Sequence, residues 1–454
     1  MANRETEEKI RKLAALDGRT AVSSWLFYLS GEGDERQLAD DLIDVLLFRS
    51  AGKSFEKGIF LEPPTTGECR GEYVLGTVLY PPMRPFCEFG LREAEWIKHV
   101  LITGMTGAGK TNLAFQILGE FKRHGKPFLV FDWKRNYRDL LQLQEFSKLR
   151  VFTVGREIAP FRFNPLIPPP GVHPGEWLMK LVDVLKHAYF VGEGVEYLLR
   201  RGIDQVYEQC GYFDGSKHKT PKLTHVAMWV SMQRLQGRMS LWKASAMRVL
   251  ESLCFRHGLG PVLNADAEWD FKGLLNADVV LELDGLSDSD KVFFAEAMIL
   301  WLYEYRKCGE KREEFRHALL IEEGHHILSH HKENAEGAET IMETCLRQIR
   351  EFGEAVIVID QEPTKLSNSI KANTYCKITF GLGNGKDALE IANCMGLDRE
   401  ESEYLKLLDV GHAIVSLKGR VFQPLHVRFP RVGVEKGVVT DGSLRNNSKQ
   451  QGAI

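Results

Sequence analysis

The sequence has no apolar run long enough for a membrane helix, which needs about 18–20 residues; its longest stretches, such as Pro127–Phe131, are strand-sized. An integral membrane segment is therefore not expected. Cysteine is sparse and unpatterned. The eight thiols, at 69, 87, 210, 254, 308, 345, 376 and 394, include no Cys-x-x-Cys pair. They read as reduced, mostly buried thiols of a cytosolic protein, not as a disulfide framework. An excess of one charge is missing as well: 59 Lys and Arg against 62 Asp and Glu leave −3. Any nucleic acid must then be held by a local patch or an assembled channel. Met1–Leu13 lacks the apolar core of a signal peptide, so a cytoplasmic location is expected.

What is present is a globular composition, 44% hydrophobic and 27% charged over 454 residues, enough for a large core and several structural units. Residues 4–48 carry apolar positions at helical spacing, broken by Gly31-Glu32-Gly33-Asp34. Residues 49–90 are rich in Gly and Pro, with one strand expected over 72–80. Short β-branched runs then alternate with helical segments, at 100–103, 127–132, 151–154, 279–283, 318–322, 355–360 and 377–382. Continuous apolar strands separated by helices predict an α/β fold with a mainly parallel sheet covered on both faces. Residues 174–260 hold no strand pattern and predict a helical insertion, opened by the proline-rich elbow 165–174. Three units are expected: a mostly helical region over 1–90 with a small β element, a core over 91–435, and a flexible tail over 436–454.

The strongest chemical signal is Gly104-Met105-Thr106-Gly107-Ala108-Gly109-Lys110-Thr111, matching G-x-x-x-x-G-K-[ST] between an apolar strand and a helix. Glycines let backbone N–H groups turn inward around phosphates, and the helix N-terminus adds its partial positive charge. Gly104, Thr106, Gly107, Ala108, Gly109, Lys110, Thr111 and Asn112 are thus candidate ATP-binding residues, Lys110 reaching the β/γ-phosphates and Thr111 offering Mg²⁺ a hydroxyl. A second strand ends in Glu322 and Glu323: Glu322 is placed to hold Mg²⁺ and Glu323 to polarise the attacking water. A third ends in Gln361, placed to sense the γ-phosphate. Arg347 and Arg350, one helical turn apart before that strand, are candidates for a guanidinium acting in phosphoryl transfer.

Together these stretches resemble the HerA/FtsK superfamily of hexameric P-loop motor ATPases, and HerA-like proteins most closely. The resemblance runs through His99–Asn112, Phe131–Tyr137, Val279–Leu286, Leu320–Leu328, Arg347–Pro363 and Gly411–Arg420, in the family's order over about 95–430. It implies a RecA-like core and a homohexameric ring that moves double-stranded DNA using ATP and Mg²⁺. It also implies Glu323 as the catalytic acid/base, Gln361 as sensor, and Arg347 or Arg350 as a finger acting on the neighbouring subunit. A nuclease or other effector partner, in DNA end processing or defence against phage, is the expected setting. A conjugation- or secretion-type transport ATPase and a nucleotide-switched scaffold are the alternatives. Three departures stand out: Glu322 replaces the commoner Asp, Asp360 and Glu362 flank Gln361 where a hydroxyl and an Arg are usual, and residues 1–90 do not read as the family's N-terminal β-barrel.

Two weaker signals remain. His325, His326, His330 and His331 invite a metal reading, because 326 and 330 are one turn apart; His325, however, stands where the family carries a histidine beside nucleotide. Among several basic runs, 134–138 follows a strand tip and includes Tyr137, so Lys134 and Arg135 are the expected DNA contacts.

Overall fold

The computed structural model describes residues 4–16, 18–55, 61, 64–80, 83–266, 270–309, 312–330 and 340–450. Eleven strands form one sheet: β1 (Tyr73–Leu79), β2 (Pro85–Leu91), β3 (Val100–Thr103), β4 (Phe128–Asp132), β5 (Arg150–Thr153), β6 (Val279–Glu282), β7 (His317–Ile321), β8 (Glu354–Asp360), β9 (Cys376–Phe380), β10 (His412–Leu417) and β11 (Leu425–Arg428). Their order is β2-β1-β11-β10-β9-β3-β8-β7-β4-β6-β5. The stretch from β9 to β5 is parallel throughout. The remaining four strands extend it antiparallel.

The parallel strands read as unbroken apolar runs because both of their faces are buried. Along β3, Val100 and Ile102 enter one core with Leu113, Ile117 and Phe121 of the helix Lys110–Arg123. Leu101, between them, enters the other core, with the helices Pro174–Tyr189, Glu193–Gln209 and Asp288–Lys307. The last helix is buried nearly all round, from Val292 to Glu304. The expected insertion is helical: Pro174–Tyr189, Glu193–Gln209, Leu223–Met232 and Arg238–Leu253. Pro174 opens it at a position where a missing N–H costs nothing, and the His173 side chain accepts from Gly175 N.

Two boundaries differ from expectation. Helices Arg4–Leu16, Gly18–Ser30 and Asp34–Phe55 pack on one another, tied by Lys9 to Asp40 and Asp44 at 2.9 and 2.8 Å. β1 and β2, though, belong to the sheet, because β1 pairs with β11. Short strands among Gly and Pro gave β2 no apolar run to announce it.

The tail expected to be flexible is docked as far as Leu444, which is 2% exposed. Phe429 N donates to Gly411 O at 2.8 Å, and the Asn112 side chain clamps Pro430 O and Val432 N, both at 2.8 Å. Asp139 then accepts from Gly437 N at 2.6 Å and Val439 N at 3.0 Å. Asp441 meets Arg135 and Arg138, each at 2.7 Å, and opens the helix Asp441–Gln450. Polar side chains, which composition alone assigns to disorder, here satisfy a strap of backbone.

Hydrogen bonds to a charged partner contribute about 1.5–3 kcal/mol. Asp139→Ala should therefore speed amide hydrogen exchange at Gly437 and Val439 by about tenfold or more, leaving β3 and β8 protected. Unchanged exchange at those two amides would remove Asp139 from this role.

Candidate nucleotide site

β3 delivers the chain into the loop at the C-terminal edge of the sheet, and the helix Lys110–Arg123 leaves it. Gly104 has φ 151°, and a Cβ there would lie 2.7 Å from Phe380 Cβ, so only glycine fits between the loop and β9. The loop is pinned from outside by Met105 N donating to Gly381 O at 2.8 Å and Gly411 N donating to Ala108 O at 2.9 Å. Gly107 and Gly109 also take positive φ, 81° and 123°, which turns the loop around its own N–H groups. Lys110 is 8% exposed, and its ammonium donates to the carbonyls of Gly104 and Met105. Burial pushes its pKa down to about 8; Glu323, Asp360 and Glu322 act against this, while Lys134 adds to it.

Four adjacent strands, β8, β7, β4 and β6, end in acid at this same edge: Asp360, Glu322, Asp132 and Glu282, all buried. Asp132 accepts from the backbone N–H groups of Lys134 and Tyr137, each at 2.9 Å. Burial, with Glu322 nearby, raises its pKa well above the usual carboxylate range. Glu282 takes a two-point contact from the Arg138 guanidinium, and Arg156 adds a third bond at 3.1 Å. Asp360 accepts from the backbone and ring nitrogens of His325 at 2.7 and 2.9 Å. Burial opposes the charge on His325, but Asp360 and Glu323 outweigh it and hold the imidazole above its ordinary pKa.

Glu322 is the acid left incomplete. Its Oε1 accepts from Tyr137 OH at 3.0 Å, and its buried Oε2 has no hydrogen-bond partner. Burial pushes its pKa up to about 7, with the Tyr137 hydroxyl opposing and Glu323 adding. An orphaned, buried carboxylate oxygen of this kind fits a cation, and Thr111, half-buried in the first turn of the loop's helix, is the matching hydroxyl. Glu322 and Thr111 would hold Mg²⁺, which when bound supplies charge neutralisation at the β/γ-phosphate oxygens.

Glu323 takes a left-handed conformation, φ 48°, with Gly324 behind it so close to β8 that a Cβ would meet Val358 Cγ1 at 2.3 Å. The turn swings Glu323 out of line with Glu322, so adjacent carboxylates face different partners. Glu323 Oε1 accepts from Lys134 Nζ and Gln361 Nε2. Gln361 Oε1 in turn accepts from Thr106 Oγ1 of the loop. Thr106, Gln361 and Glu323 are thus joined by hydrogen bonds, with Lys110 close enough for Glu323 to act on its charge. Asn112 differs: its side-chain amide serves the C-terminal strap.

The basic pair expected on DNA lies elsewhere. Lys134 is paired with Glu323, while Arg135 meets Asp441 at 2.7 Å and Asp284 at 3.7 Å. Both cations are thus engaged by carboxylates in this structure, Lys134 at the nucleotide site and Arg135 on the C-terminal strap. Arg347 and Arg350 are exposed, in the helix and turn just before β8. They stand at the N-terminal edge of the sheet, a strand length of about 20 Å from Gln361. Of the histidines, His326 stacks on Trp133 at 5.9 Å, and His331 lies outside the described residues. Asp132 and Asp360 had no assigned role in the sequence, and Tyr137, read there as part of a DNA-contacting run, instead donates to Glu322. An acid closing an apolar strand was the available signal for both Asp132 and Asp360.

Residues 88–181 match the family model described as Helicase HerA, central domain. No curated protein matches the chain. Among solved structures, VirB4 of Thermoanaerobacter pseudethanolicus is similar at 15% identity, with 79% of this chain and 96% of that one covered and a TM-score of 0.59. Plasmid coupling protein TrwB with the ATP analogue ADPNP shows 14% identity, 84% and 97% coverage and a TM-score of 0.61. TrwB with ADP and Mg²⁺ gives 12%, 77% and 88%, and 0.58. The RecA-like fold expected from the sequence is thereby found in P-loop ATPases crystallised with nucleotide.

Two outcomes follow from this geometry. Glu323→Gln should retain ATP binding and lose turnover by about 10² or more; near-normal turnover would remove it as the base. Nucleotide phosphates beside Lys110 favour its charged form, so ATP binding near pH ~8 should take up a proton, and affinity should fall as pH rises further. Calorimetry in buffers of different ionisation heat reads this directly, and binding without proton uptake would contradict it.

Proposed function

We propose that this chain, a P-loop ATPase with a HerA-type core, assembles head to tail into a homohexameric ring and drives double-stranded DNA through it. The observation that carries the reading is a division within one chain. The P-loop, the acid pair and Gln361 share one pocket, while the exposed Arg347 and Arg350 stand about 20 Å away at the opposite edge of the sheet. Such arginines are out of reach of their own γ-phosphate and suited to a neighbour's, and a heterologous contact that closes makes a ring.

DNA as the cargo rests on the HerA central-domain match. A nuclease or other effector, in DNA end processing or phage defence, is the partner this reading calls for, in the cytoplasm. A second reading, a transport ATPase of conjugation, draws on the description of TrwB as a bacterial conjugative coupling protein. No described helix is long and apolar enough to cross a membrane.

Duplex DNA should stimulate ATP hydrolysis, and steeply less so as salt rises. Arg350→Ala and Lys110→Ala should each be inactive, the first for want of a finger and the second for want of a pocket. Mixed one to one, about a quarter of interfaces would join a sound pocket to a sound finger, and ATPase should partly return. Repeating the mixture with Arg347→Ala identifies the arginine. Rings that form and exchange subunits yet recover nothing in either mixture would overturn the finger assignment.

A further inference from the structure

The pocket holds two lysines, and the ATPase reading uses only one. Lys110 is committed to the P-loop. Lys134 enters from the other side, at the tip of β4, next to the strand that carries Glu322 and Glu323. Its backbone is fixed, since its N–H donates to the buried Asp132, but its side chain is 49% exposed and free to swing on a four-carbon stem. In this structure its ammonium sits on Glu323 Oε1, the same oxygen that receives the Gln361 amide. That oxygen is doubly engaged, which leaves it a poorer acceptor for a water proton than an oxygen with open lone pairs. Through Glu323 and Gln361 the contact continues to Thr106 of the loop, so Lys134 stands on the same hydrogen-bonded edge as the P-loop.

We propose that Lys134 is a ligand of the γ-phosphate, held by Glu323 until nucleotide arrives. ATP brings several negative charges into a pocket whose acids face both Lys110 and Lys134. A γ-phosphate offers Lys134 a stronger partner than a carboxylate it must share with Gln361. As the ammonium moves across, Glu323 Oε1 keeps only the Gln361 amide and regains a lone pair. ADP, lacking the third phosphate, leaves the pair closed. Lys134 thereby couples the charge environment of the candidate base to the presence of the third phosphate. This inference deepens the ATPase reading and rests on it.

The test compares ADP with a non-hydrolysable ATP analogue, by calorimetry on the full chain. Lys134→Met should leave ADP affinity within about threefold and weaken the analogue about tenfold or more, the worth of a charged hydrogen bond. Its kcat should fall about tenfold or more, and Lys134→Arg should recover part of both. Glu323→Gln, which releases the lysine, should tighten the analogue relative to ADP, and this gain should vanish in the Lys134→Met, Glu323→Gln double variant. Equal weakening of ADP and analogue, an unchanged ratio in Lys134→Met, or no gain in Glu323→Gln would each overturn the proposal. These ratios are read from binding alone. Failure of the motor reading would instead appear as a wild-type chain that binds nucleotide without hydrolysing it, with or without DNA.

Discussion

Everything at the nucleotide edge follows from the cost of lining up buried acids. Four neighbouring strands place Asp360, Glu322, Asp132 and Glu282 side by side, each almost free of solvent. Like charges in such a row cannot all stay ionised without partners. The molecule answers each differently. Glu282 has two guanidinium groups, Asp360 has His325, and Asp132 has two backbone amides. Glu322 alone keeps an oxygen without a partner. The row is therefore balanced at three places and open at one, and the open place lies next to the residue suited to activate water.

The same electrostatics explains why the strap over residues 429–444 is ordered. Arg138 is nearly sealed from solvent between Glu282 and Asp441, the latter supplied by the strap. Removing one partner of a buried ion pair leaves an uncompensated charge, a strongly unfavourable state. The strap thus completes the charge balance of the sheet as well as covering it. Its other anchors, Asn112 and Asp139, belong to the P-loop helix and to the turn after β4, so one segment touches both sides of the pocket.

How much was legible follows from where the information sits. β3 to β9 could be read within a residue or two, because burial on both faces writes an uninterrupted apolar run. β2, β10 and β11 lie in the antiparallel flank, among glycine, proline and charge, and leave a weaker pattern. The P-loop, Glu322, Glu323 and Gln361 were visible as strand endings. Their connections were not: Thr106 and Gln361 are 255 positions apart, and Lys134 and Glu323 are 189 apart. A basic run after a strand suggests phosphate backbone when its facing acids are invisible, and a Gly/Ser/Asn-rich stretch suggests disorder when its hydrogen-bond partners are. In both cases the deciding partners lie far away in the chain.

The clasp on the P-loop also has a consequence in time. Gly411 N holds Ala108 O, and Phe429 N holds Gly411 O in turn. At a synthesis rate of about 5–20 residues per second, roughly 16–64 s pass between translation of Gly109 and of Phe429. The helix Lys110–Arg123 and β3 can form early, from neighbouring sequence, but the outer wall of the loop does not yet exist. A nascent chain on the ribosome accordingly carries the complete phosphate-binding motif for most of its synthesis without the support that fixes its shape. The outer wall of the phosphate loop is in this sense a late addition, supplied by sequence that contains none of the candidate ligands.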